Sequence, residues 1–208
     1  MSAVPFEAVV FDLGGVVLDS PLAVFERFEQ QRGLPPRFIG ELVITSGANG
    51  AWPRLERGEL TMAEFEEAFA AEAEARGHEL QVHALMQALE EATDIRPQVA
   101  EMVSDLRRFG LRTAALTNNW PSEDQEQKVG TLRPLFDVIV ESFRVGMRKP
   151  EAGIYSLVLS QLGVPAEQAI FLDDIGFNLK PARELGMHTI KVADPTAAML
   201  ELTQLLGL

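Results

Sequence analysis

Asp12 closes the apolar run Ala8-Val9-Val10-Phe11 and is followed at once by Leu13-Gly14-Gly15. A short apolar run bounded by a turn signal reads as a buried parallel strand. A carboxylate at the C-terminal tip of such a strand, beside backbone that glycine leaves bare, is where an open α/β sheet places its chemistry. There Asp12 could act as a nucleophile on phosphorus and form an aspartyl-phosphate. An aspartate that only caps the turn has the same local sequence. A second acidic tip follows late in the chain, Phe171-Leu172-Asp173-Asp174. Adjacent carboxylates raise each other's pKa unless a cation is near. Side chains alternate along extended backbone, so the two cannot point the same way. One could ligate a metal directly and the other support it from outside; a helix N-cap is the structural alternative. If the two strands are neighbours, their tips lie about 5 Å apart, and oxygen ligands from both suit Mg²⁺.

Two further segments carry polar groups of the right kind. Thr117-Asn118-Asn119 follows an apolar stretch, so a hydroxyl, an amide and backbone N–H groups at a strand-to-helix turn could hold phosphate oxygens. Arg148 and Lys149, in Gly146-Met147-Arg148-Lys149-Pro150, are cations in an acidic chain just before a helical pattern. A positioned lysine could neutralise the nucleophile and a transferred phosphoryl group; a surface basic pair is the alternative. His78, His83 and His188 are scattered and read as structural or surface residues.

The elements that would position these groups are legible as periodicity. Apolar stretches at 8–11, 113–116, 138–140, 169–172 and 189–192 read as strands. Helical patterns between the later ones argue for right-handed βαβ units and a parallel sheet. Helices are expected over 97–109, 151–162, 179–185 and 196–206, with Pro181 in the first turn of the third, where a missing N–H costs little. The interval from Pro21 to Arg96 holds no strand pattern. It reads as helices over 22–31, 36–45, 61–76 and 82–92, with Thr61 and Glu64 spaced as a capping box. The chain therefore reads as an α/β core over 1–19 and 96–208 and a helical insert over 20–95, hinged near Asp19 and Ile95.

Composition limits the alternatives. The 208 residues carry a formal charge of −13, which disfavours nucleic acid and anionic membrane surfaces as partners. There are no cysteines, so disulfides and thiolate chemistry are excluded. No run approaches the ~18 apolar residues of a membrane span. No signal-peptide pattern is visible, and a cytoplasmic protein is the expectation.

Taken together, these blocks resemble the haloacid dehalogenase superfamily, with closer likeness to the N-terminal phosphatase domain of soluble epoxide hydrolases and the related domain of acyl-CoA dehydrogenase fusion proteins. The similarity is carried by Ala8-Val9-Val10-Phe11-Asp12-Leu13, Leu116-Thr117-Asn118-Asn119-Trp120, Arg144 to Pro150, Phe171 to Gly176 and Asn178 to Arg183. It implies a three-layer Rossmann-like core with a parallel sheet of order 3-2-1-4-5 and an all-helical cap inserted after the first motif. It also implies a small phosphorylated metabolite as substrate and Mg²⁺ held by Asp12, the backbone carbonyl of Gly14 and Asp174. Asp173 would lie behind the ligands near Lys149, and Thr117, Asn118 and Gly15 would bind phosphate. The cap would close over the substrate and exclude water.

One position departs from the pattern. Phosphatases of this kind carry a second aspartate two residues after the nucleophile, which protonates the leaving group and then activates water. Here that position is Gly14. A silent phosphometabolite-binding module and a metal-free carbon–halogen hydrolase are the alternatives to a phosphatase. Asp19 is a candidate substitute acid, and Trp52, Arg54 and Arg57 are candidates to face substrate from the insert.

Overall fold

The computed structural model describes residues 6–91 and 95–208. Five strands form one sheet: β1 (Ala8–Phe11), β2 (Arg112–Thr117), β3 (Val138–Glu141), β4 (Ala169–Asp173) and β5 (His188–Lys191). Their order is β3-β2-β1-β4-β5 and every pairing is parallel, the order that the resemblance implies. Phe11 is in register with Ala115 of β2 on one side and with Leu172 of β4 on the other. Asp12 and Asp173, one residue further along each strand, therefore emerge side by side at the C-terminal edge. The connections reverse direction across β1, and ligands of open α/β sheets bind at such a switch point.

Between β1 and β2 lie α1 (Pro21–Arg32), α2 (Phe38–Thr45), α3 (Ala51–Glu56), α4 (Met62–Glu74), α5 (Val82–Glu91) and α6 (Pro97–Arg108). Then come α7 (Glu123–Leu132), α8 (Ser142–Val145), α9 (Ala152–Leu162), α10 (Gly176–Glu184) and α11 (Pro195–Leu206). Alternation along the strands feeds two layers. Val9, Phe11, Ala115, Ile170 and Leu172 pack with α6 and α11. Ala8, Val10, Ala114, Leu116 and Phe171 face α9 and α10. Burial on both faces is why these strands read as continuous apolar runs.

Helices α1 to α5 bury their apolar faces mainly against one another, around Phe25, Phe28, Leu42, Trp52, Leu55, Phe65, Phe69 and Leu85. Trp120, from the loop after β2, joins this cluster. Local signals set several boundaries. Ser20 caps α1 with Pro21 in its first turn, and the left-handed Gly33 ends it. The Thr61–Glu64 capping box opens α4, as its spacing predicts. The segments around residues 19 and 95 run side by side: Leu18 bridges Ile95, Arg96 N donates to Val17 O, and Arg96 Nε lies 3.2 Å from Asp19 Oδ1.

Some boundaries differ from expectation. Helix α10 begins three residues early, which puts Pro181 inside the helix rather than in its first turn. The missing N–H leaves the Phe177 carbonyl without its helical donor, a modest loss on a turn where Phe177 is exposed. Strand β5 is shifted one residue toward the N-terminus. The short α3 has no side-chain N-cap; its Ala51 N–H donates to Glu72 of α4 instead, a partner 21 residues away. Ala92, the last residue of the expected 82–92 helix, lies outside the described residues.

Candidate active site

The turn after β1 is shaped by two glycines with different demands. Asp12 Oδ1 accepts from Leu13 N at 2.7 Å, and Leu18 N donates to Leu13 O at 2.8 Å, which closes a wide turn over Leu13–Val17. Gly14 has an ordinary φ of −65°, so its backbone does not require glycine. Gly15 has φ of 79°, a left-handed conformation. A Cβ there would also fall 2.1 Å from Asp174 Oδ2. Only glycine lets the first loop come that close to the second acidic tip.

Asp12, Asp173 and Asp174 each offer an oxygen, and these atoms all lie within 4.8 Å of one another. Lys149 reaches between them from the loop before α9. Its Nζ is 2.7 Å from Asp12 Oδ1 and 2.8 Å from Asp173 Oδ2, and only 1% of its side chain is exposed. The Phe171 ring lies beneath the ammonium at 5.7 Å from its centroid. Asp173 is fully engaged: besides Lys149 it accepts from Ile175 N at 2.7 Å and from Asn178 Nδ2 at 3.1 Å to both oxygens. Asp174 has weaker partners among the described residues, a long contact of 3.5 Å from Ser20 Oγ and its own backbone N–H. The doublet thus divides into a carboxylate already saturated by protein donors and one with coordination capacity left.

The electrostatics follow from burial. Burial pushes the Asp12 carboxyl well above its ordinary range; Lys149 opposes this, while Asp173 and Asp174 add to it. Burial, then the neighbouring Asp173, lifts Asp174 to about 6, with Lys149 opposing. Burial works against the Lys149 charge, but Asp12 and Asp173 outweigh it and hold the ammonium above its usual value. With all three carboxylates ionised, one lysine leaves two negative charges uncompensated in a largely buried site. This donor set, hard oxygens with an excess charge of two, fits a divalent cation such as Mg²⁺.

Thr117 and Asn118 stand at the next strand tip, since Thr117 ends β2 beside β1. Thr117 is buried. The Asn118 side chain is spoken for: Nδ2 donates to Lys149 O at 3.0 Å, and Oδ1 accepts from Lys149 N at 2.8 Å. It joins two site loops rather than projecting freely. Three residues here had no site role in the sequence, Asn178 having been singled out only as the start of a matching block. Asn178 and Ser20 brace the acidic doublet, and Glu56 of α3 reaches Asn118 Nδ2 at 3.3 Å and Arg148 Nε at 2.5 Å. Asn178 lies five residues past Asp173 on the following helix, a spacing that could have flagged it; Glu56 left no local signal.

The other candidates have partners of their own. Asp19 lies beside the first loop, its carbonyl accepting from Gly15 N at 3.3 Å, while its carboxylate pairs with Arg96, which also donates to Gly15 O. Trp52 is buried among Phe25, Phe65, Phe69 and Trp120, so packing describes it. Arg54 sits on Glu59, and Arg57 bonds Glu59, Glu151 and the Ala48 carbonyl. An open cleft of about 790 Å³ lies at the opposite end of the sheet, lined by residues that include Arg107, Arg112 and Gln161. Its arginines are occupied, Arg107 by Asp137 and the Pro134 carbonyl, Arg108 by Asp105, and Arg112 by the Leu162 and Gly163 carbonyls at the C-terminus of α9.

Residues 6–186 match the family model described as haloacid dehalogenase-like hydrolase. The chain is 38% identical over 205 residues to mouse acyl-CoA dehydrogenase family member 10, covering 97% of this chain and 19% of that protein. It is 37% identical over 215 residues to pig bifunctional epoxide hydrolase 2, covering 96% and 39%. It thus spans about a fifth and two fifths of those longer relatives. It is 27% identical to the sesquiterpene phosphatase astK of Aspergillus oryzae over 97% of both chains. The fold is shared with a HAD family enzyme of Bacteroides thetaiotaomicron solved with magnesium and inorganic phosphate (22% identity, TM-score 0.63, covering 89% of this chain and 93% of that one).

Proposed function

This chain belongs to the haloacid dehalogenase-like hydrolases, and on that premise we propose that it is a Mg²⁺-dependent phosphatase acting on a small phosphorylated metabolite. The observation that carries the reading is the acidic trio around one buried lysine, with oxygens within 4.8 Å of each other. The phosphatase among its full-length relatives supports the same reaction class. A metal-free carbon–halogen hydrolase would leave the two excess charges unanswered.

In this reading the Asp12 and Asp174 carboxylates and the Gly14 carbonyl would hold the ion, which would supply positive charge to the phosphoryl oxygens. Asp12 attacks phosphorus in line, the bond to the leaving oxygen breaks, and an aspartyl-phosphate forms. Lys149 favours the ionised form of Asp12 against its burial and offsets charge that builds on the phosphoryl group. Thr117, with backbone N–H groups of the Asn118 and Gly15 loops, orients that group. Water then opens the aspartyl-phosphate, returning Asp12 and releasing phosphate. Residues 20–95 act as a cap over the core formed by 1–19 and 96–208, closing to exclude water.

Gly14 offers no carboxyl to protonate the leaving oxygen or to activate water. Such a group is worth about 10²–10⁴ in rate, or about 3–5.5 kcal/mol. Substrates with a good leaving group, such as a sugar 1-phosphate or an acyl phosphate, need it least. The same glycine favours a second reading, a phosphometabolite-binding module with little turnover. A screen of phosphorylated metabolites with Mg²⁺ at high protein concentration separates the two. Phosphate release that needs Mg²⁺ and Asp12 supports the phosphatase; saturable binding without release supports the module.

A further inference from the structure

We propose that Glu56 is a positioning residue through which the helical segment, when seated on the sheet, fixes the Asn118–Lys149 pair; the proposal rests on the phosphatase reading for what that pair does. Glu56 is the last residue of α3 and is buried. A carboxylate at a helix C-terminus meets the negative end of the helix dipole, and within α3 it has one compensating contact, the i,i+4 bond from Trp52. Its partners explain it. Oε1 accepts from Trp52 Nε1 at 3.0 Å; Oε2 accepts from Arg148 Nε at 2.5 Å and from Asn118 Nδ2 at 3.3 Å. All three are donors, which only an acceptor-only group satisfies together.

Two of these partners belong to the site loops. Asn118 exchanges two hydrogen bonds with the Lys149 backbone, and the Lys149 ammonium sits on Asp12. A continuous chain therefore runs Trp52, Glu56, Asn118, Lys149, Asp12. The next two residues dock on the same side: Arg57 Nη1 lies 3.2 Å from Glu151 Oε1, and a Cβ at Gly58 would meet Phe143 O at 2.7 Å. The seam is thus charge-crossed, with Glu56 of α3 on Arg148 and Arg57 on Glu151. Lifting α3 would take the Glu56 carboxylate from the Arg148 guanidinium and remove one of the two acceptors that orient the Asn118 amide, leaving Lys149 O to hold it alone. Lys149 is correctly set only while the helices are down.

The chain's two tryptophans both report on this seam, with Trp52 and Trp120 rings 5.8 Å apart. The test compares wild type, Glu56→Gln, Arg148→Gln and the double variant, each well below its own melting temperature. Two quantities are read: acrylamide quenching of tryptophan emission, and kcat/KM for p-nitrophenyl phosphate with Mg²⁺. Each single variant should raise the quenching constant and lower kcat/KM by roughly ten- to a hundredfold, and the double should fall no further than the worse single. A lowered melting temperature with quenching and kcat/KM unchanged would reduce Glu56 to a structural role, and additive losses would break the link to Arg148. Arg148→Gln carries the test if Glu56→Gln does not fold. A wild-type protein that leaves p-nitrophenyl phosphate intact counts against the phosphatase reading alone, because the quenching comparison still decides whether Glu56 seats the helices.

Discussion

Lys149 Nζ lies 2.7 Å from Asp12 Oδ1 although the two residues are 137 positions apart in the chain and both are buried. The ammonium is shared with Asp173, so one cation ties the tips of β1 and β4 together. Breaking a buried pair by removing one partner typically costs about 3–5 kcal/mol, because the other charge is left uncompensated.

Replacing Lys149 with Met should therefore destabilise the metal-free protein by about 3–5 kcal/mol. Urea unfolding in the presence of a chelator measures this. A loss below about 1 kcal/mol would mean that the carboxylates shed their charge when the lysine leaves.

Asp12→Asn should behave in the opposite way. It removes one of three clustered negative charges, so the metal-free fold should be kept or slightly strengthened. Turnover should fall by at least about 10³-fold. Circular dichroism together with phosphate release checks both halves, and undiminished release would exclude Asp12 as nucleophile.

The pH dependence has a definite sign. Asp174 is lifted to about 6 in the fold, above an unfolded value of about 3.9. Between these values the folded state binds more protons than the unfolded one, so stability falls as pH rises through that window. Asp12 is shifted the same way. Added Mg²⁺ competes with those protons, so it should raise the melting temperature more at about pH 8 than at about pH 5. Thermal scans with Mg²⁺ and with a chelator at both values test this; an equal gain at both would place the ion elsewhere.

The two glycines after Leu13 should respond differently to substitution. At Gly14 φ is ordinary and a Cβ would sit 3.6 Å from Pro21 Cδ, so a side chain fits. Gly14→Asp should fold normally and raise turnover if the missing carboxyl is what limits it. Gly15→Ala would place its methyl against Asp174 at a left-handed φ, and should weaken Mg²⁺ binding and lower activity. Calorimetric titration of Mg²⁺ and steady-state rates distinguish the pair.

Much of the architecture was legible without coordinates. Apolar runs such as Ala8–Phe11 and the burst at 169–172 announce strands buried on both faces, and the Thr61–Glu64 spacing marks the start of a helix, because these depend on neighbours a few residues away. Asp12, the acidic doublet and Lys149 were likewise picked out by type and local setting. The resemblance implied a division of the doublet, with Asp174 on an ion and Asp173 behind it, but tertiary structure decided the contacts. The fold brings Lys149, Ile175 and Asn178 onto Asp173 and leaves Asp174 with Ser20 and its own backbone N–H, partners that two identical side chains in a row cannot encode. Helix α3 and its Glu56 were invisible for the same reason: the donor that α3's N-terminus needs an acceptor for finds it on α4, and the donors that Glu56 accepts from at Asn118 and Arg148 arrive on the loops after β2 and before α9. Periodicity records which way a side chain faces along its own element, whereas pairing across loops is fixed only when the strands come into register.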